Sequence, residues 1–218
     1  MEPLTLLKIA VQAAALGAWA LHRRWAPPAL RPLMLFLALS VAVENAALLL
    51  GRYTGNNTWL YKAWVPALIV LLSYWLWRSM ARRWATAAIA AALAVYLGLL
   101  GWEAATANAE RILFARSLLF GYAFISALCA AELLRLATTA SSVLWRLPAF
   151  WAHLAFFASL GPAIPYLGLL NRLYAADRQL ADALFVIVDV LFLVQFAALG
   201  VAGLLLRPAP ITPAHGEG

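Results

Sequence analysis

Charged side chains are scarce in this sequence. They make up 11% of its 218 residues, against about 25% in an ordinary soluble domain. The shortage excludes a solvated surface of the usual extent. Hydrophobic residues fill the gap at 66%, well above the usual 45–50% or so, and together the two figures point to an integral membrane protein. Cysteine is limited to Cys129, inside an apolar run, so no intrachain disulfide can form. No basic stretch precedes the first apolar segment and no small-residue cleavage site follows it, so that segment is expected to be a retained helix rather than a signal peptide.

Other absences narrow the chemistry. Of the three histidines, His22, His153 and His215, only His153 falls in an apolar span. That rules out the site of three histidines and an acid used by zinc-dependent intramembrane hydrolases of the ceramidase and adiponectin-receptor type. The last span, "ALFVIVDVLFLVQFAALGVAGLLL", has an aspartate and no lysine; a retinal Schiff base of the microbial-rhodopsin kind has no attachment point. There is no G-x-S-x-G, P-loop, dinucleotide fingerprint or CxxC pair, so no cofactor and no metal is expected. The net charge of +7 does not imply a nucleic-acid partner, because the arginines cluster at the ends of apolar spans and no long hydrophilic domain exists. The partner they imply is the lipid bilayer.

What is present is seven apolar runs, 4–21, 33–50, 60–77, 85–102, 112–134, 147–170 and 183–206. Each is close to the roughly 20 residues a helix needs to cross a bilayer. The predicted fold is an all-α, seven-transmembrane-helix bundle over residues 1–207. A short disordered tail, "PAPITPAHGEG", is expected over 208–218 after Arg207. Nine arginines (at 23, 24, 31, 78, 82, 83, 135, 146 and 207) lie on one side of this layout. Four (at 52, 111, 172 and 178) lie on the other, diluted by Glu2, Glu103, Glu110, Asp177 and Asp182. The positive-inside rule then places the N-terminus outside and the C-terminus in the cytoplasm. Trp25, Trp59, Trp77, Trp84, Trp102 and Trp145 fall at the expected interfaces. Helix 4, "ATAAIAAALAV", is small-residue-rich and suited to close packing. Helix 6 contains "GPAIP", where Pro162 and Pro165 predict a kink or break; Pro66 could kink helix 3.

The polar residues inside the spans share a depth. Glu44 interrupts "FLALSVAVENAALLLG" in helix 2, Asp189 interrupts helix 7, and Lys8 and Arg116 enter helices 1 and 5 from the same side. At 1.5 Å per residue all four are predicted within roughly 6–11 Å of the outer boundary. An ionisable side chain at a helix centre costs about 2.5–3.5 kcal/mol on insertion scales, and such residues pair or line a wet path. Two readings are open. One is an outward-facing polar pocket ringed by helices 1, 2, 5 and 7. The other is a dry charge network that only fixes helix register. Gln12 lies one turn below Lys8, Ser40 one turn below Glu44, and Tyr61, Lys62 and Tyr166 are on the same side. Asn45 is expected to face a neighbouring helix. In the other half, His153 reads as a hydrogen-bonded core histidine and Glu132 as a partner for Arg135 or Arg146.

The run "ENAALLLGRY" through "GNNTWLY" to Pro66 resembles a pattern in uncharacterised bacterial seven-helix membrane proteins. In these an intramembrane glutamate on helix 2 precedes an asparagine-rich outer loop and an aromatic opening helix 3. The resemblance implies a bacterial cytoplasmic (inner) membrane protein and assigns no catalytic residue; the Asn56–Thr58 sequon match is incidental in that setting. Three functions follow from the residues. The first is a small-ligand-binding sensor, receptor-like subunit or carrier with an outward-facing pocket, needing a membrane or cytoplasmic partner protein for output. The second is an intramembrane enzyme using Glu44 and Asp189 as an acid–base pair on a lipid or small molecule. The third is a structural or assembly subunit of a membrane complex. No inverted repeat of the transporter kind is visible.

Overall fold

A computed structural model of the chain describes residues 3–54, 57–106, 114–140 and 143–206. The tail 208–218, Arg207, Glu2, Glu110, Arg111 and Asn56 lie outside the described residues, as does the predicted start of helix 5 at Ile112. Among the described residues there are seven long helices: α1 (Pro3–His22), α2 (Arg31–Thr54), α3 (Thr58–Met80), α4 (Arg83–Thr106), α5 (Ala115–Thr139), α6 (Pro148–Ala176) and α7 (Arg178–Leu204). Two short 3₁₀ turns, Arg23–Trp25 and Leu144–Arg146, sit in connections. All seven helices are long and apolar enough to cross a membrane, and among the described residues there is no strand.

The helices run past their apolar stretches. α2 extends to Thr54 and α7 begins at Arg178 rather than near 183. A helix satisfies its backbone internally, so it can continue into polar sequence until a cap or a break stops it. Asp177 supplies one such cap, its side chain accepting the Leu180 N–H at 3.0 Å. Of the kink or break expected in α6, the break is absent: α6 is one continuous helix with both Pro162 and Pro165 inside it. The two prolines are three apart, on one side of the helix, and both are exposed. The proline φ already suits a helix, and the cost is one missing hydrogen bond each, to the Ala158 and Gly161 carbonyls one turn earlier. α3 likewise runs through Pro66.

Packing proceeds in the order α1, α2, α3, α5, α6, α7 and back to α1, with α4 resting on α3 and α5. Half of α5's most apolar window is buried, against 17% for α4. The alanine-dense helix is thus the peripheral one. Small residues act instead where α1 meets α7: a Cβ added at Gly200 would lie 3.6 Å from the Ala15 backbone, and Gly203 faces Trp19. Trp19 donates from Nε1 to the Leu199 carbonyl at 2.8 Å. In lipid such contacts are packing and hydrogen bonding, since the tails offer the helices no hydrophobic drive to associate.

The bundle centre is aromatic. Phe36 from α2 stacks on Phe196 of α7 at 6.1 Å and meets Phe156 of α6 edge-on at 5.3 Å. Trp75 of α3 reaches Phe156 at 5.1 Å. Trp19 and Trp75 are fully buried, whereas Trp59, Trp77, Trp84, Trp102 and Trp145 near helix ends are 44–66% exposed. That division is what amphipathic rings at two membrane–water interfaces require.

Candidate functional site

Four helices bring polar side chains together near the end of the bundle where α1 begins. Lys8 of α1 places Nζ 3.2 Å from Glu44 Oε2 on α2 and 3.2 Å from Asp189 Oδ1 on α7. Tyr61 of α3 donates its hydroxyl to the same Glu44 oxygen at 3.3 Å. Odd-numbered helices run parallel in such a bundle, so Lys8 and Asp189 enter from the same end. α2 runs the other way, and Glu44 sits about ten residues, or roughly 15 Å, short of its C-terminus. The long α2 and α7 therefore set both acids deeper relative to the helix ends than the apolar runs suggested. The side chains of Lys8, Glu44 and Asp189 remain 14%, 18% and 23% exposed, so the cluster is shielded and still reachable.

Gln12, one turn beyond Lys8, is 1% exposed. Neither its amide oxygen nor its amide nitrogen has a hydrogen-bond partner among the described residues. Buried amides are ordinarily satisfied, so this one adds unused hydrogen-bonding capacity beneath the ion cluster. Ser40, one turn from Glu44 on α2, is also buried.

The remaining sequence candidates lie elsewhere. Arg116 is the main correction. It is exposed, with its guanidinium 4.6 Å over the Trp102 ring. α5 packs on α3, α4 and α6, so a side chain at the right depth on α5 is on the wrong side of the bundle; α3 takes the place expected for it. Asn45 is exposed rather than set against a neighbouring helix, and its Nδ2 donates to the Val41 carbonyl of its own helix at 2.7 Å. Tyr166 is buried, but its hydroxyl donates to the Ala181 carbonyl at 2.9 Å, tying α6 to α7. Lys62 lies 5.7 Å over the Phe114 ring. Pro162 and Pro165 form no cavity wall, since they face outward within an unbroken helix.

Losing Arg116 changes the electrostatics. The cluster holds one ammonium and two carboxylates, a surplus of one negative charge. It also bears on an acid–base reading. Two oxygens each 3.2 Å from one nitrogen can be no farther apart than twice that distance. They are close enough to act on one substrate, but Lys8 Nζ fills the gap between them. Among the described residues no three His, Cys, Asp or Glu side chains gather as a metal site requires.

Glu103 reads in the sequence as a loop acid, and the structure corrects this. It is 2% exposed within α4. Its carboxylate accepts the Arg116 and Ser117 backbone N–H groups, both at 2.9 Å, and the Ser117 hydroxyl at 2.7 Å. It therefore caps the start of α5 from a neighbouring helix, where two N–H groups have no intrahelical acceptor and the helix dipole favours an anion. At the opposite end of the bundle Glu132 is 3% exposed and pairs with Arg135 through both carboxylate oxygens. His153 hydrogen-bonds the Ala149 carbonyl at 2.7 Å and lies 4.6 Å from the Trp75 ring. Glu132 is thus a paired core acid, whereas His153 is bonded on one side only, its buried Nε2 having no hydrogen-bond partner among the described residues.

No family model, curated protein or solved structure matches this chain. Its class therefore rests on the fold: seven helices, each able to span a bilayer, fit a multi-pass integral membrane protein.

Proposed function

We propose that this chain is a small multi-pass binding protein, a sensor or carrier subunit, whose Lys8–Glu44–Asp189 cluster takes up a proton or another small monovalent cation. The arginine asymmetry supports an orientation with α1 beginning outside the cell, so the cluster is reached from that side. The helix 2 to helix 3 resemblance supports a bacterial cytoplasmic membrane as its location.

The observation that carries the proposal is the charge count. One lysine bridges two carboxylates at 3.2 Å each, and Arg116, the cation that would have balanced them, is over Trp102. A surplus charge among apolar helices is costly, and ionisable residues there mark ion and proton sites. One bound monovalent cation restores neutrality. Partial exposure of all three side chains keeps the site open to exchange. Beyond it, the packed Phe36, Phe156, Phe196 and Trp75 rings are 0–5% exposed, which favours binding with a conformational readout over an open conduction path. A sensor of this form passes its output to a partner chain.

The direct ion contacts equally suit the second reading, a network that only fixes helix register. Proton uptake separates the two. Purified protein is titrated with a pH indicator, and parallel titrations use Na⁺ and K⁺. The expected result is uptake, or cation-dependent stabilisation, that falls in Glu44→Gln and in Asp189→Asn. Identical curves in wild type and both variants would leave only the register role.

A further inference from the structure

A second polar feature lies at the other end of the bundle, away from the ion cluster. The α1–α2 connection and the α3–α4 connection enclose an open groove of about 630 Å³. That is inside the roughly 300–1,000 Å³ range of small-molecule clefts. Its floor and walls include Pro27, Trp77, Arg78, Arg82, Arg83 and Thr86. Three of these are cations, no acid lines the groove, and none of the three arginines forms an ion pair among the described residues. We propose that this groove binds the phosphodiester headgroup of an anionic phospholipid.

Position distinguishes a lipid from a soluble anion. The groove sits where α3 ends at Met80 and α4 begins at Arg83, immediately beside spans that cross the hydrocarbon. Trp77 and Trp84, 44% and 52% exposed, mark the headgroup level. Directly below, Tyr74 and Val70 on α3 are 46% and 45% exposed, an outward apolar strip along which an acyl chain can lie. A free phosphate would use the arginines and leave that strip idle. Basic pockets between transmembrane helices are a known physical solution for anionic headgroups, and an anionic leaflet attracts each arginine or lysine near its surface by about 1 kcal/mol. The frame is stiff. Pro27 and Pro28 fix the backbone on one wall, and the Pro27 carbonyl accepts the Leu30 N–H at 2.9 Å. Guanidinium suits the task because its fork matches phosphate oxygens two at a time.

Orientation alone would also call for arginines here, so the test must read binding. The protein is purified in a neutral detergent and titrated with short-chain phosphatidylglycerol, phosphatidylcholine or inorganic phosphate, with bound lipid counted by native mass spectrometry. Phosphatidylglycerol is expected to bind at least about tenfold more tightly than phosphatidylcholine, with no competition from equimolar inorganic phosphate. The Arg78→Gln/Arg82→Gln/Arg83→Gln variant should lose that preference, while Arg146→Gln, outside the groove, should keep it. Should the triple variant fail to fold, Ala29→Trp fills the groove and leaves every charge in place; it too should lose the lipid. Equal binding of the two lipids, displacement by inorganic phosphate, or retention by Ala29→Trp would each overturn the assignment.

Discussion

Removing the Glu103 carboxylate should loosen the start of α5, and the size of the loss follows from what the carboxylate holds. It accepts two backbone N–H groups at 2.9 Å and one hydroxyl at 2.7 Å. No side chain at Phe114, where α5 is entered, caps the helix in its place. A hydrogen bond to a charged group contributes about 1.5–3 kcal/mol, and a buried donor left unpaired costs a similar amount. Two offsets pull the sum toward its low end. Arg116 is exposed, so solvent or a headgroup can reach its N–H, and the Ser117 hydroxyl keeps the Phe114 carbonyl at 3.2 Å. Glu103→Ala should therefore cost about 3 kcal/mol. Glu103→Gln, which retains one acceptor oxygen and loses the charge, should cost about half of that. The assay is thermal unfolding of the detergent-purified protein. For a chain of this length about 3 kcal/mol corresponds to a fall of roughly 6–12 °C. Thr106→Ala, an exposed residue on the same helix, serves as the control. Glu103→Ala melting within about a degree of that control would refute the cap.

The ion cluster and the α1–α7 seam yield two more predictions. Lys8→Met leaves two carboxylates facing each other and should cost about 3–5 kcal/mol; the Lys8→Met/Glu44→Gln/Asp189→Asn triple should recover most of that in chemical denaturation, and a triple as unstable as the single would remove charge as the cause. At Gly203 an added Cβ would sit 2.6 Å from Trp19 Cδ1, so Gly203→Ala should destabilise by about 1–3 kcal/mol. Gly98 has nothing within 4 Å of such an atom, and Gly98→Ala should gain about 0.5–1 kcal/mol of helix preference; equal melting temperatures for the two would show that the seam is not tightly packed.

Helix number and type were legible because each apolar run is too long for anything but a span, and hydropathy is a one-dimensional property. Helix ends were less so. Arg178 and Thr54 are polar but remain helical, because what stops a helix is backbone satisfaction rather than hydropathy. The meeting of Lys8, Glu44 and Asp189 could be anticipated from topology and rise per residue, which together give depth. Depth carries no information about which way a side chain points around its helix or which helices are neighbours. Arg116 has the right depth and the wrong neighbours; Asn45 is one residue from Glu44 and faces outward. Glu103 could not be read as a cap at all, since its partners, Arg116 and Ser117, lie thirteen and fourteen residues away across a connection. The proline pair shows the same limit of local reading. Each proline removes one backbone hydrogen bond and crowds the carbonyl one turn earlier, yet the hydrogen bonds of the remaining residues carry α6 through both as one helix.

At the centre of the functional reading, the Lys8–Glu44–Asp189 cluster holds one carboxylate charge more than its lysine balances. Infrared difference spectroscopy of the reconstituted protein reads this most directly, through the carbonyl stretch that a carboxylate gains on protonation. On acidification the wild type should show a protonated-carboxyl band that is lost or shifted in both Glu44→Gln and Asp189→Asn. A difference spectrum unchanged by either substitution would contradict that surplus.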